Sequence, residues 1–495
     1  MKSKYFLIIG LFLGLLMADA MAGAATINVT ATNDALNRLT LRTAVMIANK
    51  INKKYTIVLD PRPRFTANHT PEIQVIYLSL TGSGEDKARR GDLDITRGDL
   101  TIVSPYTNVV IDASALGDRV FQVFPRAHLT LKNITITGGM APGGIYGSIA
   151  SGESGGAIYN AGSLTLENCL IINNQSGDAN LPLGNGGHTS GGDGGGIYNL
   201  GILRMTNSVV AGNRANNGNG GGIYNLGDSI LNHCVFQSNF SGGGGTPINI
   251  ILSYGDVSGS GGAIFNSSTM TLSECVITNN LAGAGADGST PPGTNAGYVP
   301  GGPGGLGGDG AGIFNLGHLN LSLCFIGSNT NGDGGLGYKD NGGEGGNGAG
   351  VFNAGSVKLM NCEINGNQAG RGGDGGNGGF FGGIKFVGDG GAGGSGGGIY
   401  NVGTLNLLAT VITGNTCGNG GDGGTGIGAQ GGDGGNGGDG GGIYNNSSLN
   451  ALTITNTVVE LNAVGLGGAG GSFIYSGTHG ASGSDGLGPD FGGNY

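Results

Sequence analysis

Apolar and polar positions along this chain keep fixed distances from a recurring six-residue motif. GGGIYN stands at residues 194–199, 220–225, 396–401 and 440–445, and near-copies end in Asn160, Asn266, Asn315 and Asn353. With the closing Asn as origin, apolar residues fall at +4, +6 and +11, as in Leu164, Leu166 and Ile171. Position +9 is Cys, Ser or Thr, and +14 is Asn. Ser229 is the one polar residue at +4. The copy after Asn445 fits with a first loop three residues longer, giving Leu452, Ile454, Thr457, Val459 and Asn462.

Steps of two residues, as from Leu164 to Leu166 and from Cys169 to Ile171, are the period of a strand with one buried face. The steps from 166 to 169 and from 171 to 174 are odd. An odd step would turn the side chain to the wrong face of a continuing strand, so the chain must turn a corner at each. Short strands joined by fixed corners, all keeping one face inward, describe the coil of a parallel β-helix. Each coil buries its apolar face on the next, giving an all-β solenoid of about nine or more coils.

Between +14 and the next motif the chain runs for 6 residues (214–219) to 29 (281–309). One corner therefore takes all the insertions, and these glycine-rich stretches should project from one edge of the rod. Lacking apolar side chains, they are expected to be extended or mobile, so that removing residues 368–395 would spare the coils. The glycine pair before Ile-Tyr should serve a further corner, and Gly at +2 should serve a positive-φ turn.

Asn174, Asn213, Asn239, Asn280, Asn329, Asn367, Asn415 and Asn462 share +14, where stacked amides can bond along a column. Cys169, Cys234, Cys275, Cys324 and Cys362 share +9 and should form an interior column. Coil spacing would permit disulfides, but Ser208, Thr410 and Thr457 occupy the same slot, which favours small packed thiols. The motif's Tyr and Phe residues, Tyr159 to Tyr444, should form an outward aromatic stripe suited either to packing or to sugar binding.

Composition and charge narrow the function. The chain has 495 residues, 115 of them Gly, and no Trp. Residues 141–495 hold six basic side chains against 21 acidic ones, which argues against nucleic acid as a partner. At the N-terminus, Lys2 and Lys4 precede an apolar run from Phe6 to Met17 and then ADAMAGAA, the layout of a secretory signal peptide. No later run is long and apolar enough for a membrane helix. The domain plan is thus a signal peptide (1–24), an N-terminal cap (25–60), a β-helix (61–465) and a Gly-rich tail (466–495). Within the cap, LTLRTAVMIAN (39–49) places Leu41, Ala44, Val45 and Ala48 on one helical face that could close the end of the core.

That segment resembles the N-terminal region of exported bacterial β-helix proteins named for a Cys-Ser-Leu-Arg-Glu-Ala consensus, with Leu39 in the Cys position and Thr43 in the Glu position. GDLDIT (91–96) and LTLKNITITGG (129–139) are similar to the same family. GGAIYN, GGAIFN and FQSN (236–239) resemble the GGAI and FxxN repeats of chlamydial polymorphic outer membrane proteins. These resemblances, over most of residues 35–465, imply a right-handed parallel β-helix and, by analogy, an adhesin-like surface role. Residues 466–495 are too short and glycine-rich for the membrane barrel that ends the chlamydial proteins.

The chemistry is sparse. A glycosidase needs paired carboxylates, and no recurring pair is present. Arg62 and Arg64, and the group Asp92, Asp94, Arg97 and Asp99, are the dense charged constellations, with structural ion pairs as their simplest reading. GGLGGD (304–309) and GGNGGD (434–439) match the start of a calcium-binding nonapeptide. Ala311 and Gly441 stand where its large apolar residue belongs, so the expectation is no cofactor, with Ca²⁺ as the alternative. The reading is a secreted or surface-displayed, adhesin-like rod, more a non-enzyme than an enzyme, binding glycans or cell-surface partners. A polysaccharide lyase or hydrolase and a non-catalytic matrix protein are the alternatives.

Overall fold

A computed structural model describes residues 25–60, 73–105, 109–144, 151–179, 191–243, 258–289, 301–381, 384–385, 387–447, 451–475 and 477–493. The expected signal peptide, Arg62 and Arg64 lie outside them.

Among the described residues the chain forms a right-handed parallel β-helix with three long sheets of twelve, eleven and eleven strands. Parallel strand crossovers take this hand almost without exception. Each coil contributes the motif strand (Ile197–Asn199 in one coil), a five-residue strand (Ile202–Thr206) and a third strand (Val209–Ala211). Registers hold from coil to coil: Asn160, Asn199, Asn225 and Asn266 are successive partners, as are Leu166, Met205, Leu231 and Leu272. The residues at +4, +6 and +11 form one continuous apolar core.

Single left-handed residues make the corners that the odd steps require. At +8, Asn168, Asn207, His233, Glu274, Leu323, Asn361, Ala409 and, after the longer first loop, Asn456 have φ between 49° and 54°. At +13 stand Asn173, Gly212, Ser238, Asn279, Ser328, Gly366, Gly414 and Leu461, also at positive φ. Gly155, Gly194, Gly220 and their equivalents make the corner before Ile-Tyr. Gly at +2 has a different role from the expected turn. Its φ is not positive, but a Cβ on Gly201 or Gly227 would lie 2.0 or 1.9 Å from a carbonyl oxygen of the preceding coil. Close approach of coils, not turn geometry, demands glycine there.

Two columns of buried amides run along the rod. The +14 residues from Asn174 to Asn462 are linked Nδ2 to Oδ1 at 2.9–3.0 Å, and Asn462 donates onward to Asp490. The motif's closing Asn residues, Asn160 to Asn445, form a second column at 2.6–2.9 Å. Each amide satisfies its neighbour, so burial leaves few polar groups unpaired. Cys169, Cys234, Cys275, Cys324 and Cys362 line the interior as buried thiols, and Cys417 is a sixth. The Sγ of Cys324 donates to the Ser322 carbonyl at 3.3 Å, as Ser208 Oγ does to Thr206 at 2.9 Å, which explains why the slot accepts either residue.

The helix Leu41–Ala48 closes the N-terminal end. Thr40 caps it, its hydroxyl accepting from the Thr43 N–H while Thr43 returns the bond. Leu41, Ala44, Val45 and Ala48 are buried on the first strands. Arg42 is fully buried: it pairs bidentately with Asp34 at 2.8 and 3.0 Å and donates to the carbonyls of Ala88, Gly91 and Asp92. Asp34 also accepts the N–H groups of Ser79 and Leu80. The pair thereby fastens the cap to the first coils.

The glycine-rich stretches are a slab, not loose loops. From residue 283 onward, Gly-Gly-X triplets leave the coil in one layer and return in a second. The first glycine of a triplet donates to the X carbonyl of the next coil, as Gly372 to Asn419 and Gly393 to Asn436. The second donates across to the other layer: Gly421 to Gly391, Gly435 to Gly421, Gly468 to Gly435, Gly483 to Gly468, all at 2.8–2.9 Å. The N–H of X goes to an Asp or Asn side chain of the preceding coil, as Asp433 to Asp389 and Ala469 to Asp422. All three N–H groups of a triplet are thus used. A three-residue period and extended backbone are the marks of polyproline II geometry, whose peptide groups can bond only sideways. Side chains would keep the layers and coils apart: a Cβ on Gly372, Gly420 or Gly434 would lie 1.9–2.1 Å from a carbonyl oxygen of the facing layer, and one on Gly421, Gly435 or Gly468 would lie 1.9–2.0 Å from a carbonyl oxygen of the preceding coil in its own layer. Residues 370–376 and 388–395 belong to this slab, so removing 368–395 would cut hydrogen bonds to both neighbouring coils. The described part of 466–495 stacks on it as well: Gly467, Gly470 and Gly471 line the outgoing layer, and Gly480, Gly483 and Gly486 the returning one.

Candidate binding faces and a buried acidic cluster

The motif strand turns Ile and Asn inward and its middle aromatic outward. Tyr159, Tyr198, Tyr224, Phe265, Phe314, Phe352, Tyr400 and Tyr444 therefore form one stack, with ring centroids 4.6–5.2 Å apart and planes within 17° of parallel. Most rings are half-buried and Phe265 is buried. Burial raises the Tyr198 and Tyr224 hydroxyls to about 12. Because each face is covered by the next ring, the stack offers solvent only ring edges, which removes the faces that sugar stacking would use. Leu200, Leu226, Leu316 and Val402, at +1, are exposed beside it.

The slab offers two polar faces. X residues of the outgoing layer include Asp333, Asp374, Asn419, Asp422 and Thr425, and those of the returning layer include Asn341, Asp389, Asp433, Asn436 and Ser484. Many hold one side-chain oxygen on a backbone N–H of the next coil: Asp333 on Arg371 (2.7 Å), Asp374 on Asp422 (2.9 Å), Asn341 on Asp389 (2.9 Å) and Asn436 on Ser484 (3.0 Å). The spacing is set by the backbone: about 4.8 Å between coils and about 9.3 Å between triplets. The result is a rigid grid of acidic and amide groups.

Where slab meets coil, a ladder at position −6 joins Ser154, Asp193, Asn219, Ser260, Asp309, Asn347, Ser395 and Asp439, each accepting the N–H of the next, and Asp439 that of Leu487. Asp309 and Asp439 are the acidic residues of the two calcium-like matches, and the ladder is where they sit. Burial raises Asp309 to about 6. Among the described residues no group of three His, Cys, Asp or Glu side chains is placed to hold a metal ion.

One charged cluster lies at the base of the aromatic stack. Arg119 reaches Asp92 at 3.5 Å, Gln122 at 2.8 Å and the Glu153 carboxylate, and its guanidinium lies 5.5 Å from the centroid of the Tyr159 ring. Asp118 accepts the Asp92 N–H, and Asp94 accepts that of Ala88. Burial above all, then the neighbouring Asp94 and Asp118 charges, raises Asp92 to about 8 against the pull of Arg119. Burial first, with Asp86 and Glu85 nearby, raises Asp94 to about 7. Asp94 Oδ1 and Arg119 Nε have no hydrogen-bond partner. Of the N-terminal constellation read from sequence, Asp92 and Asp94 enter this cluster. Arg97 is exposed, and Asp99 pairs with Lys54 at 3.5 Å on the surface. Asp118 and Arg119, and Glu153, escaped the sequence reading because they come from stretches far from Asp92 and from each other. The signal was present: Asp118 and Arg119 stand where later coils carry Gly at −5 and Gly or Ala at −4. His233 pairs with Glu274 at 2.9 Å, and His318 stands apart on the five-residue strand face.

Comparison with known proteins is sparse. No protein-family model matches the chain, and a search of curated proteins returns no significant relative. Among solved structures, the Azotobacter vinelandii mannuronan C-5 epimerase AlgE4 A-module aligns over 93% of this chain and 97% of its own, with 11% identity and a TM-score of 0.33. The AlgE6 A-module of the same organism aligns over 84% and 94%, with 12% identity and a TM-score of 0.26. At these TM-scores the likeness adds nothing to the fold read from the strand registers.

Proposed function

We propose that this protein is an exported, surface-displayed binding rod, adhesin-like and non-catalytic, whose slab faces engage neutral, polyhydroxylated glycan polymers. The observation that carries this reading is the grid of Asp, Asn, Ser and Thr side chains fixed by backbone N–H groups. A fixed grid meets a repetitive ligand with little ordering cost, so many weak hydrogen bonds can add. The excess of acidic over basic side chains in residues 141–495 disfavours polyuronates through like-charge repulsion. Export is supported by the charged, apolar and small-residue order of residues 1–25, and surface display by the resemblance of LTLRTAV and GGAI/FxxN to exported β-helix families.

The enzymatic reading rests on the Asp92 cluster, since a carboxyl that holds its proton near neutrality beside Arg and Tyr is equipment for acid–base chemistry. One experiment separates the two. The purified chain is incubated with insoluble neutral glycans, soluble polyuronates and host glycans, and retention and released products are read by mass spectrometry. Retention on neutral glycans without products, weakened in an Asp389→Ala/Asp433→Ala variant, is the expected result. Released or modified oligosaccharides that vanish in Asp92→Asn would establish the enzyme instead, and no retention on any glycan would end the binding proposal.

A further inference from the structure

Residues 81–90 form a loop joined at its neck, where the Gly91 N–H donates to the Leu80 carbonyl at 2.7 Å. Compact loops of this length with adjacent ends are frequently functional. The neck is fastened to the cap: Asp34 accepts the Ser79 and Leu80 N–H groups, and Arg42 donates to the Gly91 and Asp92 carbonyls. Beyond the neck most of the loop is exposed, Lys87, Arg89 and Arg90 included, and Ala88 is its one buried residue. Ala88 is held in three ways. Its methyl is buried, its N–H donates to Asp94 Oδ2 at 2.7 Å, and its carbonyl accepts from Arg42 at 3.1 Å. Its φ of 54° is left-handed, a conformation that a residue with a Cβ keeps only when its surroundings impose it. Glu85 accepts the Arg89 and Arg90 N–H groups, which shapes the loop without tying it to the coils.

We infer that this loop is a latch over the foot of the aromatic row, shut while the Asp94 carboxyl keeps its proton and released when that carboxyl ionises. Asp94 pairs in register with Gln122, and Gln122 with Tyr159, so Asp94 continues the outward row that the aromatic stack occupies. It is 1% exposed, and its Oδ1 has no hydrogen-bond partner among the described residues. A neutral carboxyl tolerates that site far better than a carboxylate, whose bare oxygen would be buried at high cost.

The surrounding charges add to the cost. Glu85 and Asp86 face Asp94 from the loop, Asp92 from its own strand and Asp118 from the next coil. The nearby cations are engaged elsewhere: Arg119 holds Asp92, Gln122 and Glu153, and Arg42, across Ala88, holds Asp34. From the cap, the Asn49 amide bonds the Asp94 carbonyl and leaves the carboxyl alone. Burial above all, against the pull of the Ala88 N–H and helped by Asp86, Glu85 and Asp118, raises Asp94 to about 7. Lifting Ala88 away admits water and returns the carboxyl toward its ordinary 3.8. The shut form thus binds the proton more tightly, and its advantage is whole below the ordinary value. The open fraction then climbs by up to about tenfold per pH unit as pH rises toward 7 and levels off above, where both forms are ionised. Opening bares a carboxylate beside Gln122 and Arg119 at the foot of the stack.

Hydrogen exchange of the full chain from pH 4.5 to 8.5, corrected for intrinsic rates and read on peptides covering 81–92, tests this. Loop protection is expected to fall at least about thirtyfold between pH 4.5 and 7.5 and little further by 8.5, while the strands Asp99–Val103 and His128–Lys132 keep theirs. Asp94→Asn retains an acceptor for Ala88 but cannot ionise, so its loop protection should stay within about threefold across the range. Glu85→Gln/Asp86→Asn, outside the core, should move the levelling-off to lower pH, and it tests the same point if Asp94→Asn fails to fold. Loop protection that does not fall with pH, that falls equally in Asp94→Asn, or that is indifferent to the loop charges would overturn the inference. A parallel loss in the two coil strands would overturn it as well, since that marks unfolding of the first coils and not release of a loop.

Discussion

Substituting Gly435 by Ala decides whether the glycine-rich stretches are a packed structure. Gly435 is buried between layers and its φ is not positive, so alanine suits its backbone and only neighbours forbid it. The new Cβ would lie 2.0 Å from the Gly391 carbonyl oxygen and 2.6 Å from its carbon. Both are backbone atoms of the same layer one coil below, so the coils must part there by more than 1 Å, a distance that follows from ordinary contact near 3.5 Å. The Gly391 carbonyl accepts the Gly421 N–H and the Gly435 N–H goes to Gly421, both at 2.8 Å, so the displacement stretches these two bonds. Two net hydrogen bonds contribute about 2 kcal/mol, and overpacking costs about 1–3 kcal/mol more. The expected loss is about 3–5 kcal/mol. In urea this appears as a midpoint lowered by about 1–1.7 M at a slope near 3 kcal/mol per M. Asn436→Ala, one residue on and exposed, loses a single acceptor for Ser484 and should cost about 1 kcal/mol or less. A mobile tract predicts the opposite sign, since Gly→Ala there is neutral or stabilises by about 0.4–1 kcal/mol. An unchanged or raised midpoint for Gly435→Ala would refute the slab.

Three further outcomes follow from the coil and the cluster. Asp92 keeps its proton to about pH 8 in the folded chain but releases it near 3.8 when unfolded, so stability falls as pH rises through that window. Asp92→Asn removes this dependence and should narrow the stability gap between pH 5 and pH 8.5 by at least about 1.4 kcal/mol, the worth of one pKa unit; an unchanged gap in melting curves would count against the buried carboxyl. Asn329→Ala leaves the N–H and Nδ2 of Asn280 without their shared acceptor and removes the Asn329 bonds to Ile277 and Asn367. About 3–5 kcal/mol should be lost in urea titration, on the scale of several orphaned buried groups. Cys324→Ser, which keeps a donor in the slot that Ser208 fills elsewhere, should cost less than about 1 kcal/mol, whereas Cys324→Leu overpacks it by about 1–3 kcal/mol.

What could be read from sequence was whatever side-chain periodicity reports. Leu164, Leu166 and Ile171 declared inward strands by steps of two, and the odd steps between them located corners that Asn168 and Asn173 make in the left-handed conformation. The slab was missed because its order comes from missing side chains, so hydrophobic patterning has nothing to record. Its trace was the triplet in GGDGGNGGDG (431–440), a period of three that polyproline II geometry explains and a strand does not. The Asn column from Asn160 to Asn445 was hidden by its own regularity, having served as the origin of the repeat. The Asp92 cluster was illegible for another reason: Asp92, Asp118 and Glu153 belong to successive coils and meet only through stacking.

Hydrogen exchange read by mass spectrometry, on peptides covering 418–424, 431–439 and 465–471, tests the central claim that these tracts are a built part of the rod. The account predicts protection approaching that of the coil strands around Leu405 and Ile412, because each buried glycine N–H is bonded between layers. Exchange at the rate of an unfolded chain while those strands stay protected would contradict it.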